Sequence, residues 1–367
     1  DDVTAIGPKL RGDYQLTVGG RLGPGPNDDK EARVLDRVVR WTEHGLEYET
    51  DPRQVEKLLE ELDFDGPGVK GVVTQHQVQS ECELPDSEHT RFRGLAARAN
   101  FLAADRADIQ YCVKELCRDM SKPRNSSWRR LKRLAKFLIG KPRLVWKYAW
   151  ESAANEADGY SDSNWAGCKD SRKSTSGGVV MPGSHVIRTW SKTQSTIALS
   201  SAEAELFGGV KTACETIGVA SLLRDLGQEV HLRMHMDASA ALGIAQRRGV
   251  GKVRHLSTGT LWLQEQELKK IMTIQKISGN LNVADIFTKN LGQALMERHL
   301  TYMGLEYRGG RASAAAQLHT ISQARRELKK VKSDIAQAQA DTQNDQGKDS
   351  WLVNGIGRFR VRAHSVN

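Results

Sequence analysis

The chain has no Cys-x-x-Cys pair, no Ser/His/Asp or Cys/His order of nucleophile and base, and no phosphate-cradling glycine loop. Its five cysteines (Cys82, Cys112, Cys117, Cys168, Cys214) are odd in number and lack metal-ligand spacing. A zinc site is therefore not expected, and a reduced intracellular compartment is. No apolar leader opens the sequence and no run reads as long enough to span a bilayer, so no membrane partner is expected. His231 and His235 are four apart on an alternating strand, roughly 13 Å at about 3.3 Å per residue, too far to share an ion. Acidic residues are missing altogether from 121–147, where ten Lys or Arg fall.

What is present fits a soluble, basic, multi-domain chain. Its 367 residues are 39% hydrophobic and 27% charged, with a net charge of +9 and a pI near 9.3. That balance favours polyanionic partners. Residues 34–48 read as strand, turn, strand around His44-Gly45. Pro52 then opens a helix over 53–62 with Val55, Leu58, Leu59 and Leu62 on one stripe. Two more helical stripes fill 88–120. Over 128–139, Trp128, Leu131, Leu134, Ala135, Leu138 and Ile139 keep a helical period, while Arg129, Arg130, Lys132, Arg133 and Lys136 fill the other faces. Like charges without a counter-charge repel, so this helix is expected to meet phosphate.

Residues 151–158 read as a polar joint. Beyond it the pattern gives three strands, a long helix over 201–226 ended by Gly227, and a strand over 230–236. Short helices, a strand over 271–277 and a last helix over 282–299 follow. This is an α/β sheet domain of about 150 residues. Residues 311–349 carry only a thin apolar stripe and read as an exposed helix and loose tail.

Four acidic residues fall at junctions of that domain. Asp162 lies in the first strand, where a carboxylate is unfavourable, although a strand-end turn acid is an equally good reading. Glu203 and Glu205 follow Ser200. Ser200 and Glu203 have capping-box spacing, which gives Glu203 a structural task and leaves Glu205 as the better ligand. Asp237 ends a strand, where α/β sheets place their sites, but it could equally cap the next helix. Asp285 could be a first-turn acid favoured by the helix dipole. Together they form an oxygen-only set suited to a hard cation such as Mg²⁺.

The run Tyr160-Ser161-Asp162-Ser163-Asn164-Trp165-Ala166-Gly167, then Arg172-Lys173-Ser174-Thr175-Ser176-Gly177-Gly178, resembles the ribonuclease H domain of Copia-type (Ty1/copia) retrotransposon polyproteins. Leu199-Ser200-Ser201-Ala202-Glu203-Ala204-Glu205 and Ala284-Asp285-Ile286-Phe287-Thr288-Lys289 carry the same resemblance. Upstream, Ala107-Asp108-Ile109-Gln110-Tyr111, Met120-Ser121-Lys122-Pro123 and the basic helix resemble the end of that family's reverse transcriptase. Asp1-Asp2 resembles the close of its Y-x-D-D motif.

The resemblance implies a ribonuclease H-like mixed five-stranded sheet with flanking helices over 155–307. It also implies a partial reverse transcriptase palm over 1–80, a basic helical thumb or connection over 81–150, and a polar tail over 308–367. Asp162, Glu205, Asp237 and Asp285 would be the catalytic and metal-binding set. They would hold two Mg²⁺ ions, with Mn²⁺ able to substitute, and cleave the RNA strand of RNA–DNA hybrids without a small-molecule cofactor. Arg129, Arg130, Lys132, Arg133 and Lys136 would hold the nucleic acid. DNA synthesis is not expected of this stretch alone, and the implied location is a cytoplasmic particle or the nucleus.

The order Asp, Glu, Asp, Asp separates this reading from an integrase or transposase, which would end on Glu. Ala238-Ser239 departs from the family's polar pair after the third acid. The loop 278–283 has no His, and His255 matches only a family His of uncertain role. The alternative reading is thus a catalytically decayed nucleic-acid-binding relic.

Overall fold

Alternating and helical apolar stripes decide the first half. The computed structural model describes residues 20–35, 37–64, 70–72, 82–251, 255–256 and 258–315. The Asp1-Asp2 pair, the Gly66-Pro67-Gly68 stop and the tail stripe from Leu318 to Ile335 lie outside them. Strands β1 (Glu31–Val34), β2 (Arg37–Thr42) and β3 (Gly45–Thr50) form an antiparallel meander. Pro52, with φ already helical, then starts α1 (Arg53–Glu61). Helices α2 (Asp86–Ala103), α3 (Gln110–Arg118) and α4 (Asn125–Gly140) follow. Their stripes meet in one apolar cluster that includes Leu58, Phe92, Leu95, Leu116, Leu131 and Leu134, all fully buried. Each such side chain contributes about 1.5–3 kcal/mol.

The basic helix is α4, and the cationic run that contains it is partly neutralised. Five of the ten cations in 121–147 have an acidic partner from elsewhere in the chain: Arg124 with Asp170, Arg130 with Asp119, Lys141 with Glu297, Arg143 with Glu49, and Lys147 with Glu306. The partners lie up to half a chain away, so a local charge count cannot see them. Arg129, Lys132 and Lys136 remain exposed.

Residues Arg143–Ala149, expected within a helical region, are strand β4. It pairs with β3 on one side and on the other with a late strand that the sequence pattern did not suggest, Leu305–Arg308. A fully buried Arg106–Asp108 pair lies beneath this edge, at 2.7 and 2.9 Å. Arg106 also donates to the Lys141 and Pro142 carbonyls, and Tyr307 donates to Asp108. The Ala107-Asp108-Ile109 motif therefore fastens the upstream sheet to the helices.

The second sheet comprises β5 (Glu156–Asn164), β6 (Thr175–Pro182), β7 (Arg188–Thr193), β8 (His231–Met236) and β9 (Met272–Lys276); counting these, Leu305–Arg308 is β10. Their order is β7-β6-β5-β8-β9, with β5 antiparallel to β6 and parallel to β8. This is the expected mixed five-stranded sheet. One face packs on α5 (Ser201–Asp225), α6 (Ser239–Ala245) and α7 (Thr258–Leu268) through Leu206, Ala213, Met234, Met236 and Leu263. The opposite face packs on a 3₁₀ turn, Val283–Phe287, and α8 (Gln293–Tyr302) through Tyr160, Val179, Phe287 and Leu300.

Three expectations change here. The polar joint is shorter than 151–158, because β5 starts at Glu156 and buries Asp158 against Arg233 and His235 at 2.7 Å each. The last helix is not continuous over 282–299. Asn282 caps a 3₁₀ turn, accepting from the Ala284 amide, and α8 begins only after Gly292 with extended backbone. Finally, α5 is long and apolar enough to cross a membrane by length and composition, contrary to the sequence reading. In this fold it is the helix that covers the sheet.

Candidate active site

Strand register brings two of the four carboxylates together. In the parallel pair β5–β8, Ser161 is level with Met236, so the next residues, Asp162 and Asp237, emerge side by side at the carboxyl ends of adjacent strands. Asp162 is buried at 5% exposure in the central strand, and its partner across β6 is Gly177. A Cβ at Gly177 would come within 2.6 Å of Phe287 Cβ, so glycine there is what lets the 3₁₀ turn approach the sheet. That turn delivers Asp285. Asn282 bolts it down by donating to the Ser161 carbonyl at 2.9 Å, one residue from Asp162.

One carboxylate oxygen from each of Asp162, Asp237 and Asp285 lies within 4.8 Å of the other two. Glu205 is not part of that mutual set but stands beside it. It projects from the second turn of α5, accepts from the Ser163 amide at 3.2 Å through Oε1, and leaves Oε2 buried without a partner among the described residues. The Ser200 hydroxyl caps α5 by accepting from the Glu203 amide, and Glu203 accepts from the Leu199 amide at 2.6 Å. The cap thus occupies Glu203 and leaves Glu205 free to face the cluster. Behind it, the Gln194 amide donates to Ser176 and to the Ala204 carbonyl, both at 2.8 Å, pinning the start of α5 to the sheet.

The electrostatics record the crowding. Burial, with the charges of Asp162 and Asp237, pushes the Glu205 carboxyl up to about 9. Burial and Asp162 push Asp285 up to about 7, and raise Asp237 as well. Lys289 offsets part of this, with Nζ 2.7 Å from Asp285 Oδ1. Burial disfavours its charge, but Asp162 and Asp285 raise its pKa on balance. An orphaned carboxylate oxygen, an all-oxygen donor set and like charges held together fit a hard divalent cation.

Thr288 and Lys289 had no assigned role in the sequence reading. The Thr288 hydroxyl donates to Asp162 Oδ2 and also to the Asp285 carbonyl. Both residues lie three and four positions after Asp285, the helical spacing that shares a face, and that spacing was the available signal. Replacing Thr288 with Val keeps the shape and deletes a hydrogen bond to a buried carboxylate. Unfolding in urea without metal should show a loss of about 1.5–3 kcal/mol; an unchanged midpoint would contradict the anchoring role.

The five cations of α4 are not drawn into this cluster. Arg130 is tied to Asp119 at 3.2 Å, Lys132 lies over the Trp128 ring, and Lys136 over Phe64.

Comparison with known proteins places the chain. No family model matches it. It is 28% identical over 232 residues to the retrovirus-related Pol polyprotein from transposon RE2 of Arabidopsis thaliana, covering 62% of this chain and 16% of that one. It is 26% identical over 310 residues to the corresponding polyprotein from transposon TNT 1-94 of Nicotiana tabacum, covering 79% of this chain and 23% of that one. These relatives are Pol polyproteins of Copia-type retrotransposons. This chain spans less than a quarter of the length of these Pol relatives. Among solved structures, LC11-RNase H1 in complex with an RNA/DNA hybrid is 14% identical, over 36% of this Pol relative and 94% of that chain, with a TM-score of 0.28.

Proposed function

We propose that this chain is a metal-dependent endonuclease acting on the RNA strand of RNA–DNA hybrids, with Asp162, Glu205, Asp237 and Asp285 as its catalytic set. The observation that carries the reading is the approach of Asp162, Asp237 and Asp285 to within 4.8 Å in an oxygen-only site, buried at Asp162 and Asp285 and half-buried at Asp237. Kinship with Copia-type Pol polyproteins supports it.

Asp162, Asp237 and Asp285 would hold Mg²⁺, with Glu205 as the further ligand for a second ion. Such a pair supplies an activated water and stabilisation of the leaving oxygen. The protein's own contribution is positional. Thr288 fixes one oxygen of Asp162, Asn282 fixes the turn that carries Asp285, and the Ser200 cap with Gln194 fixes the end of α5 that carries Glu205. Lys289 balances the carboxylates where a phosphate group would enter. Hybrid would be told from DNA duplex by helix shape and 2′-hydroxyl contacts rather than by base sequence.

The test is cleavage of end-labelled RNA in an RNA–DNA hybrid. Cutting is expected with Mg²⁺ or Mn²⁺, none with chelator, and none of a DNA duplex of the same sequence. Hybrid bound but uncut at any metal concentration would leave a binding relic in place of an enzyme.

A further inference from the structure

Lys289 is held over the carboxylate set by the turn that carries Asp285. Its backbone amide donates to the Asp285 carbonyl at 3.2 Å, and its Nζ lies 2.7 Å from Asp285 Oδ1. That oxygen is buried and has no other partner among the described residues. The lysine side chain is 46% exposed and the carboxylate it meets only 7%, so the ammonium enters the site from solvent on a flexible stem. Its charge reaches beyond Asp285, drawing down the raised Glu205 and Asp237 carboxyls as well. Burial disfavours the ammonium in turn, but Asp162, Asp285 and Asp237 hold it charged.

An exposed acid–lysine pair four residues apart contributes little to a fold. This pair differs in two respects. Its acid is buried among like charges, which repel unless a positive charge stands with them. Its acid is also one of three whose oxygens lie within 4.8 Å of one another, an arrangement that suits a divalent cation. Mg²⁺ takes its oxygens at about 2.0–2.1 Å, so an ammonium on the same oxygen would stand directly beside it. Two cations that close repel strongly in a site partly shielded from water. One of them must yield.

We infer that Lys289 is an internal counter-cation that competes with the divalent ion for Asp285 and so sets how much metal the site requires before it fills. The inference rests on the nuclease reading for the identity of the site but not on cleavage for its test. The lysine holds the carboxylates together where no divalent ion neutralises them, and it gives up Asp285 to solvent-side positions when such an ion takes that oxygen. Its long, half-exposed stem permits this without a change of backbone. The contact that stabilises the metal-free fold therefore weakens the metal site.

The experiment titrates Mn²⁺ into the full chain and follows the unbound ion by electron paramagnetic resonance, at one alkaline pH where protons compete least. The proteins are the parent, Lys289→Gln and the charge-keeping Lys289→Arg, each also melted in chelator and in saturating Mn²⁺. Lys289→Met, which keeps the stem, takes the place of the Gln variant if that one does not fold. The Gln variant should bind Mn²⁺ roughly tenfold more tightly, an ordinary size for coupling between two ligands of one protein. It should also melt lower in chelator and gain more from the metal than the parent, while the Arg variant stays near the parent throughout. Affinity in the Gln variant equal to or weaker than the parent's, whatever its melting temperature, overturns the competition and leaves a structural ion pair. With a parent that binds Mn²⁺ and cleaves hybrid, that result leaves the nuclease reading intact. Tighter binding by the Gln variant of a chain that never cleaves hybrid supports the competition and overturns the nuclease reading alone. No Mn²⁺ bound by any of the proteins overturns both.

Discussion

Asp162→Asn should lower Mg²⁺-dependent cleavage of an RNA–DNA hybrid by about 10³-fold, equivalent to about 4 kcal/mol of transition-state stabilisation. A metal ion's charge stabilisation is of that size, several kcal/mol. Asp162 is the appropriate target because its charge acts on every other member: it raises Glu205, Asp237 and Asp285, and it helps keep Lys289 protonated. Asn retains an oxygen able to accept from Thr288, so the fold should persist and hybrid binding in EDTA should survive. Single-turnover cleavage with matched thermal melts separates loss of chemistry from loss of fold. Parental cleavage by the variant would sink the catalytic assignment.

Metal-free protein should become less stable as pH rises from about 5 to 9, and Mg²⁺ should restore more stability at the alkaline end. Folded Glu205 keeps its proton up to about 9, whereas the unfolded chain releases it near 4.5. Between those values the folded state binds more protons, so rising pH favours unfolding. Asp285, held up to about 7, adds in the same direction. A cation competes with these protons, so its affinity rises with pH. One pKa unit is worth about 1.4 kcal/mol, and 1 kcal/mol moves the melting temperature by roughly 2–4 °C in a protein of 150–250 residues. The displacement at Glu205 therefore gives the parent a fall of melting temperature with rising pH that Glu205→Gln, which should titrate more flatly, does not share. Parallel pH profiles for parent and Glu205→Gln in chelator would contradict the linkage.

Most of the second sheet was legible because its signals are local. Alternation marks Val230 to Met236, the Ser200 cap marks the start of α5, and Gly227 marks its end. The pairing of β4 with β10 was not legible, since strands so distant in sequence leave no common pattern and Leu305–Arg308 is only four residues long. The candidate carboxylates were readable as positions but not as a geometry. It took the β5–β8 register to bring Asp162 level with Asp237, and the Gly177 approach to bring in Asp285. The cationic run over 121–147 was legible as charge but not as pairing. Glu297 and Glu306, the counter-charges of Lys141 and Lys147 beyond the helix, become neighbours only on folding. Thr288 was visible as a letter in a motif, but its hydrogen bond to Asp162 joins residues 126 apart in sequence.

The pairing of β10 with β4 has a consequence for synthesis on the ribosome. The upstream sheet is made early, yet its edge at β4 has no neighbour until Leu305–Arg308 emerges, after the whole of the second sheet. An open strand edge is a template for pairing with other chains. Nascent copies, crowded on one message, therefore carry an adhesive edge throughout translation of the nuclease region, and the strand that shields it comes last.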